Sequence, residues 1–146
     1  ITEEQLERML FGRDQSSSIP SFIRSFGILS HEEALDIVKN SDYSILIRKL
    51  QRYAQAGFPT KVVESLAVGT PVLCNLTSDL AHYIHHKKEG IICEDESVES
   101  IKEALRKIID ISSEQHSAMR KNARNMAVQS FDFRLFTEPI RKFLES

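Results

Sequence analysis

The stretch 56-AGFPTKVVESLAVGTPV-72 decides how this chain is read. Gly57 and Pro59 are turn residues. A helix-like segment follows from Thr60, with Val62, Val63, Leu66 and Ala67 on one side at helical spacing. It stops at Gly69, and an apolar run restarts after Pro71. Lys61, Glu64 and Val68 share another face of that helix. A turn, a helix, a second turn and an apolar strand make the repeating unit of a parallel α/β sheet.

Outward from this corner the same alternation recurs. Upstream, Tyr43 to Ile47 is an apolar, β-branched strand, and 48-RKLQRYAQAGFP-59 is a long polar loop. Ser30 with Glu33 fits a capping box, and Ala34, Leu35, Ile37 and Val38 give a helical stripe that Asn40 can end. Phe22 to Phe26, closed by Gly27, is a short strand candidate. Before it, Thr2 with Glu3, Glu4 and Gln5 signals a helix to about Leu10, and GRDQSSSIPS is a loop. Downstream, Pro71 to Cys74 is a strand, and Ser78 and Asp79 start a short helix reaching about His85. HHKKEG is a turn and Ile91 to Cys93 a strand. Helices are expected from Ser97 to about Ile109, Ser113 to Ser130, and Phe133 to Leu144. The order is β-α-β-α-β-α-β, then helices.

The strands are short and continuously apolar, as in a parallel sheet covered by helices on both faces. Right-handed crossovers bring every strand-to-helix loop to one edge, where open α/β sheets bind their ligands. The loops after Phe26, Ile47 and Cys74 are therefore expected to line one cleft.

Composition agrees with a soluble globular domain: 146 residues, 41% apolar, 27% charged, formal net charge −2. That charge excludes a general binder of nucleic acid or anionic membrane. No apolar run approaches the roughly 20 residues that span a bilayer, and no signal peptide is visible. Cys74 and Cys93 lie in separate apolar runs, with neither zinc spacing nor a disulfide framework. They read as reduced, buried thiols of a cytoplasmic protein. The chain opens ITEEQLERML, without an initiator Met. This is the expectation for a piece of a longer protein, whose missing domain would carry part of the function.

Lys61 stands in the first turn of its helix, where the macrodipole opposes a cation unless an anion is also present. Backbone N–H groups of Thr60, Lys61 and Val62 suit a phosphate, and Gly57 lets the backbone approach it. Glu64, one turn deeper, can accept hydrogen bonds from two neighbouring hydroxyls, such as those of a ribose. Diphosphate at the helix start and ribose on the carboxylate describe a nucleotide. Equally, the pair is an exposed i,i+3 ion pair worth about 0.2–0.5 kcal/mol. Spacing does not decide between them.

The segment from Phe22 to Ile109 resembles the C-terminal domain of retaining GT-B glycosyltransferases, specifically the glycosyltransferase family 4 or "group 1" class. The matching features run in order: a strand ending FG before SHEEALDIVKNSD, then YSILI, GFPTKVVESLAVGTPVL, a Ser/Thr/Asp loop, and YIHHKKEGIIC before SVES. The specific core is K-x-x-E-x-x-A-x-G-T-P-V, Lys61 to Val72.

The resemblance implies a Rossmann-like domain over 1–146 that binds a nucleotide diphosphate sugar. It implies transfer of the sugar, with retention, to a glycan or lipid-linked acceptor held by a missing N-terminal domain. It implies no cofactor, no metal and no nucleic acid, a polysaccharide or glycoconjugate pathway, and peripheral membrane association of the full-length protein. Phe58, Pro59, Thr60 and Lys61 match the loop at the donor sugar and phosphates. Glu64 matches the ribose-binding glutamate, and Thr77, Ser78 and Asp79 match a nearby donor loop. The 131–146 helix matches one that crosses toward the N-terminal domain.

Two departures stand out. The family's first glutamate falls at position 56, which is Ala56. Its usual diphosphate-binding Arg and Lys lie upstream of this chain's first residue. Arg48, Lys49 and Arg52 offer charge on a cleft loop, or only solubility. A degenerate, non-catalytic nucleotide-sugar module is the second reading. A sugar-nucleotide epimerase, the third, needs a carboxylate and histidine set that is not evident.

The remaining features read more plainly. His82, His85 and His86 fit a solvated turn better than a metal site. His31 follows a strand end and is a weaker ligand candidate. Cys74 lacks the base a nucleophile needs. Phe131, Phe133 and Phe136 read as packing aromatics that anchor the last helix.

Overall fold

A computed structural model of the chain describes residues 5, 6, 8, 9 and 19–145. The chain divides into two compact units, Ile1–Ala34 and Leu35–Ser146.

In the first unit, residues 5, 6, 8 and 9 are helical, while the rest of the expected 2–10 helix and most of the GRDQSSSIPS loop lie outside the described residues. The strand expected at Phe22–Phe26 does not form. Pro20 starts a turn instead, closed by the Ile23 N–H donating to the Pro20 carbonyl at 2.8 Å. Phe22 is 86% exposed, and the Arg24 guanidinium lies over the Phe26 ring. A strand needs a laddered partner, and this backbone spends its bonds locally. The Ser30/Glu33 capping box forms as expected, each side chain accepting the other's backbone N–H. It opens helix α1, His31–Lys39, which runs on into the second unit.

The second unit holds a three-stranded parallel sheet: β1, Ser44–Leu46; β2, Val72–Asn75; β3, Gly90–Cys93. The spatial order is β1-β2-β3, with Leu46 opposite Cys74 and Asn75 opposite Cys93. Between β1 and β2 lie α2, Arg52–Ala56, and α3, Thr60–Ala67. A 3-10 turn, Ser78–His82, follows β2. After β3 come α4, Val98–Ile109, and α5, Ser113–Ser130. A second 3-10 turn, Phe133–Phe136, leads to α6, Thr137–Leu144.

All four β2 residues are buried, which explains the apolar run Val72–Cys74 that precedes Asn75. Val72 and Cys74 face a cluster with Val62 and Leu66 of α3 and Ala123 and Ala127 of α5. Leu73 faces the other side, with Ile91, Cys93, Ala104 of α4 and Met119 of α5. Cys74 and Cys93 therefore belong to opposite faces and stay free. Burial pushes the Cys74 thiol up to about 12.

Two arginines of α5 cap two other helices. Arg120 donates to the Lys39 and Ser41 carbonyls at the end of α1. Arg124 donates to the Ala67 carbonyl at the end of α3. Cations at helix C-termini satisfy free carbonyls and oppose the dipole. Gly90 is required sterically, since a Cβ there would meet the Val72 carbonyl oxygen at 2.1 Å.

Three further expectations change. The 48–59 loop contains α2. The helix after β2 is a 3-10 turn ending at His82, and the last helix begins as a 3-10 turn. Of the anchoring aromatics, Phe131 packs at 4.7 Å from the Tyr83 ring, whereas Phe133 is 78% and Phe136 48% exposed.

Candidate functional site

The expected ligand edge lies at the carboxyl ends of β1 and β2. Three polar clasps organise it. The buried Asn75 side chain accepts the Arg48 N–H at 2.9 Å and donates to the Arg48 carbonyl at 2.7 Å. The Arg48 guanidinium donates to the Gly57 carbonyl at 2.9 Å. The Gln55 side-chain oxygen accepts the Ser78 N–H at 2.9 Å. Together they tie the loop after β1, the end of α2, the turn before α3 and the loop after β2.

On one side of this edge is the start of α3. Pro59 occupies the N-cap position, with no side-chain cap. The Val62 N–H, expected from the sequence to be free for a phosphate, instead donates to the Pro59 carbonyl at 3.0 Å. Thr60 is exposed. Lys61 and Glu64 pair at 2.8 Å, with side chains 70% and 28% exposed. Val62 and Leu66 are buried while Val63 and Ala67 are half-buried, so the helix turns its charged face away from the core. Phe58 packs edge-on to Tyr83 at 5.3 Å and against Phe131 at 5.7 Å. Its ring serves the core, leaving its backbone at the turn.

On the other side is the loop after β2. Thr77 is buried, and its hydroxyl has no hydrogen-bond partner among the described residues. Ser78 has φ +53, in the left-handed region. Asp79 is exposed. The Gln55–Ser78 bond brings this loop beside α2, and Gly57–Pro59 connects α2 to α3. Thr77 and Ser78 thus stand beside the end of α2, to which Phe58, Pro59, Thr60 and Lys61 connect directly, while Glu64 lies one turn further along α3. The loop after Phe26, and His31, belong to the first unit.

Arg48 is engaged by Gly57 and lies 5.8 Å from the Tyr53 ring, while Lys49 and Arg52 are exposed. Ala56, at the end of α2, brings no carboxylate. The histidine turn is more than solvated. His85 contacts the buried Glu89 carboxylate through its N–H at 2.9 Å and Nδ1 at 2.8 Å. His86 Nδ1 accepts the Ile92 N–H. Among the described residues no group of three or more His, Cys, Asp or Glu is placed to hold a metal. Among them, too, no helix is long and apolar enough to cross a membrane. Gln55 and Asn75 carry this edge and went unnoticed in the sequence. A polar Asn closing a buried strand was the one visible signal.

An anion-compatible helix start, a cation and a reachable carboxylate on one strand-end corner suit a nucleotide. The pattern of the family described as "Glycosyl transferases group 1" matches residues 8–126. The chain belongs to the group 1 glycosyl transferases. No curated protein matches it. Solved structures share the fold. Sucrose-phosphate synthase (tll1590) from Thermosynechococcus elongatus is 15% identical with TM-score 0.70, over 97% of this chain and 32% of that one. Anabaena Alr3699/HepE in complex with UDP-glucose is 15% identical with TM-score 0.64, over 98% and 36%. The same protein with UDP and glucose is 16% identical with TM-score 0.62, over 75% and 28%. The chain thus spans about a third of the length of these relatives. As a group 1 member it has the Rossmann-like parallel sheet of the GT-B glycosyltransferases, as its sequence led one to expect.

Proposed function

We propose that this chain is the donor-binding, C-terminal domain of a retaining, family 4-type hexosyltransferase. The observation that carries the reading is the Lys61/Glu64 pair on the exposed face of α3, beside that helix's start, within a family match over residues 8–126. In the free chain the two side chains neutralise each other. A bound nucleoside diphosphate sugar replaces that contact: its diphosphate meets Lys61 and the helix start, and its ribose hydroxyls meet Glu64. The similar structures of Anabaena Alr3699/HepE are complexes with UDP and glucose and with UDP-glucose, which makes UDP the first nucleotide to test.

Transfer breaks the bond between the anomeric carbon and a diphosphate oxygen. It forms a bond to an acceptor hydroxyl oxygen, whose proton leaves to the diphosphate. The charge that develops is on the leaving group, where the α3 N-terminus and Lys61 stand. The acceptor, a glycan or a lipid-linked sugar at the cytoplasmic face of a membrane, binds outside this chain. The chain alone therefore binds donor without turnover, and the whole protein serves polysaccharide or glycoconjugate synthesis.

Ala56 favours a second reading, a nucleotide-sugar-binding domain without transferase activity. Turnover by a protein that includes an acceptor domain separates the two.

Calorimetric titration with UDP, GDP and ADP, repeated on Glu64→Ala, tests the site. One nucleotide should bind, and the substitution should weaken it by about 1–3 kcal/mol, the worth of hydrogen bonds to a charged group. Unchanged affinity in Glu64→Ala would leave Lys61 and Glu64 as a surface ion pair.

A further inference from the structure

Gln55 is exposed on the last turn of α2, next to Ala56. Its side chain crosses to a loop 23 residues on, where its oxygen accepts the Ser78 N–H. The loop it meets carries two local costs. Ser78 holds φ +53, a region that residues with a Cβ enter reluctantly. Thr77 buries a hydroxyl with no partner among the described residues, forfeiting a bond that water supplies to an exposed one. Within the loop, the Leu80 N–H reaches the Thr77 carbonyl only at 3.3 Å. A segment with such costs keeps its shape when something outside it holds it there. α2 packs directly on the 3-10 turn that the loop opens.

We infer that Gln55 is a positioning residue of the nucleotide site, clamping the Thr77–Ser78 loop through the Ser78 N–H against the α2–α3 corner without touching the nucleotide itself. The inference rests on the function proposed above. It assigns α2 a role although Ala56 denies that helix a carboxylate. Gln55 fixes the separation of the two walls, so that the site is formed before the ligand arrives. Preorganisation of this kind appears in affinity, because an unclamped loop must be ordered during binding.

The test uses the parent chain, Gln55→Met, which keeps length but has no acceptor, and Gln55→Glu, which keeps the acceptor oxygen. Three quantities are read: affinity for whichever of UDP, GDP and ADP the parent binds, thermal midpoint, and exchange of the Ser78 amide by NMR. Gln55→Met should weaken nucleotide binding roughly two- to ten-fold, the range of one net hydrogen bond. Its thermal midpoint should fall by no more than the few degrees that one net hydrogen bond is worth, and its Ser78 amide should exchange faster. Gln55→Glu should restore slow exchange. Equal affinity in parent and Gln55→Met overturns this inference alone. So does fast Ser78 exchange in Gln55→Glu, or a thermal midpoint that falls by much more than one hydrogen bond accounts for. A parent chain that binds no nucleotide overturns the proposed function and this inference together.

Discussion

Asn75 grips the backbone of Arg48 with both ends of its amide, accepting from the N–H and donating to the carbonyl. Asn75 is the last residue of β2 and Arg48 lies two residues past the end of β1, so the bond pair holds the two chains together where the β1–β2 ladder has already stopped. Asn75 is 2% exposed, so both bonds are dry. Asn75→Ala loses both hydrogen bonds and takes the side-chain partner from the Arg48 N–H and from its carbonyl, a cost of about 1–3 kcal/mol in urea unfolding. Asn75→Asp should do no better, since a carboxylate cannot donate to the Arg48 carbonyl and instead repels it. Recovery of full stability in Asn75→Asp would show that only the accepted bond matters.

Gly90 and Gly69 separate two kinds of glycine requirement. At Gly90 a Cβ would sit 2.1 Å from the Val72 carbonyl oxygen, inside the β2–β3 ladder. Backbone cannot swing aside as a side chain can, so Gly90→Ala must part the strands. Overpacking of this kind costs about 1–3 kcal/mol or more. At Gly69 the obstacle is φ +75, while the nearest atom is 3.4 Å away. Gly69→Ala should cost roughly 1–2 kcal/mol, the left-handed penalty. Chemical denaturation should rank the two variants in that order, and the reverse ranking would refute the steric account.

The sequence showed α5 to the residue because Ser112 and Gln115 form a full capping box at one end and an aromatic stop lies at the other. It showed Val72–Cys74 of β2, because a parallel strand buried on both faces reads as an apolar run, and missed Asn75 at the strand's end. It misled at Phe22–Phe26, where apolar residues resemble a strand but Pro20 and Gly27 turn the chain. It hid α2, a five-residue helix without a side-chain cap, held by the burial of Ala54. At the strand-end corner, the Lys61–Glu64 contact was legible because the two residues are three apart and the motif around them is distinctive. Gln55 and Asn75 were not, because their partners lie 23 and 27 residues away. Bonds of that span come from the packing of elements, which periodicity does not encode.

Cys74 links the core to an alkaline limit on stability. Its thiol is raised to about 12 by burial first and by Cys93 second. A group with a raised folded-state value keeps its contribution below the unfolded value and loses it as pH climbs toward the folded one. An unfolded thiol ionises near pH 8.5–9, about 3 units lower, and each unit is worth roughly 1.4 kcal/mol. Stability should therefore fall steadily from about pH 9 to pH 12, and Cys74→Ala should flatten part of that slope while costing stability at pH 7. A thiol reagent at pH 8 should label Cys74 only after unfolding. Rapid labelling of Cys74 in the folded chain would contradict its burial.

Lys61 offers the sharpest separation of function from stability. Its ion pair with Glu64 is exposed enough that solvent screens it, so the pair contributes about 0–1 kcal/mol to folding. Lys61→Met should thus leave the thermal midpoint almost unchanged. Its nucleotide affinity should nevertheless fall by about 1 kcal/mol at low ionic strength, since the diphosphate loses a direct cation. The gap between parent and variant should narrow with added salt, because screening acts over about 10 Å at 0.1 M. Glu64→Ala should respond oppositely to salt: it removes the hydrogen bonds to the ribose, which screening barely affects, and it frees Lys61 for the phosphates. Titrating both variants at two salt concentrations therefore assigns the two ends of the nucleotide. Matching salt dependence in the two variants would mean that the pair acts as one surface charge cluster, with no ribose on Glu64.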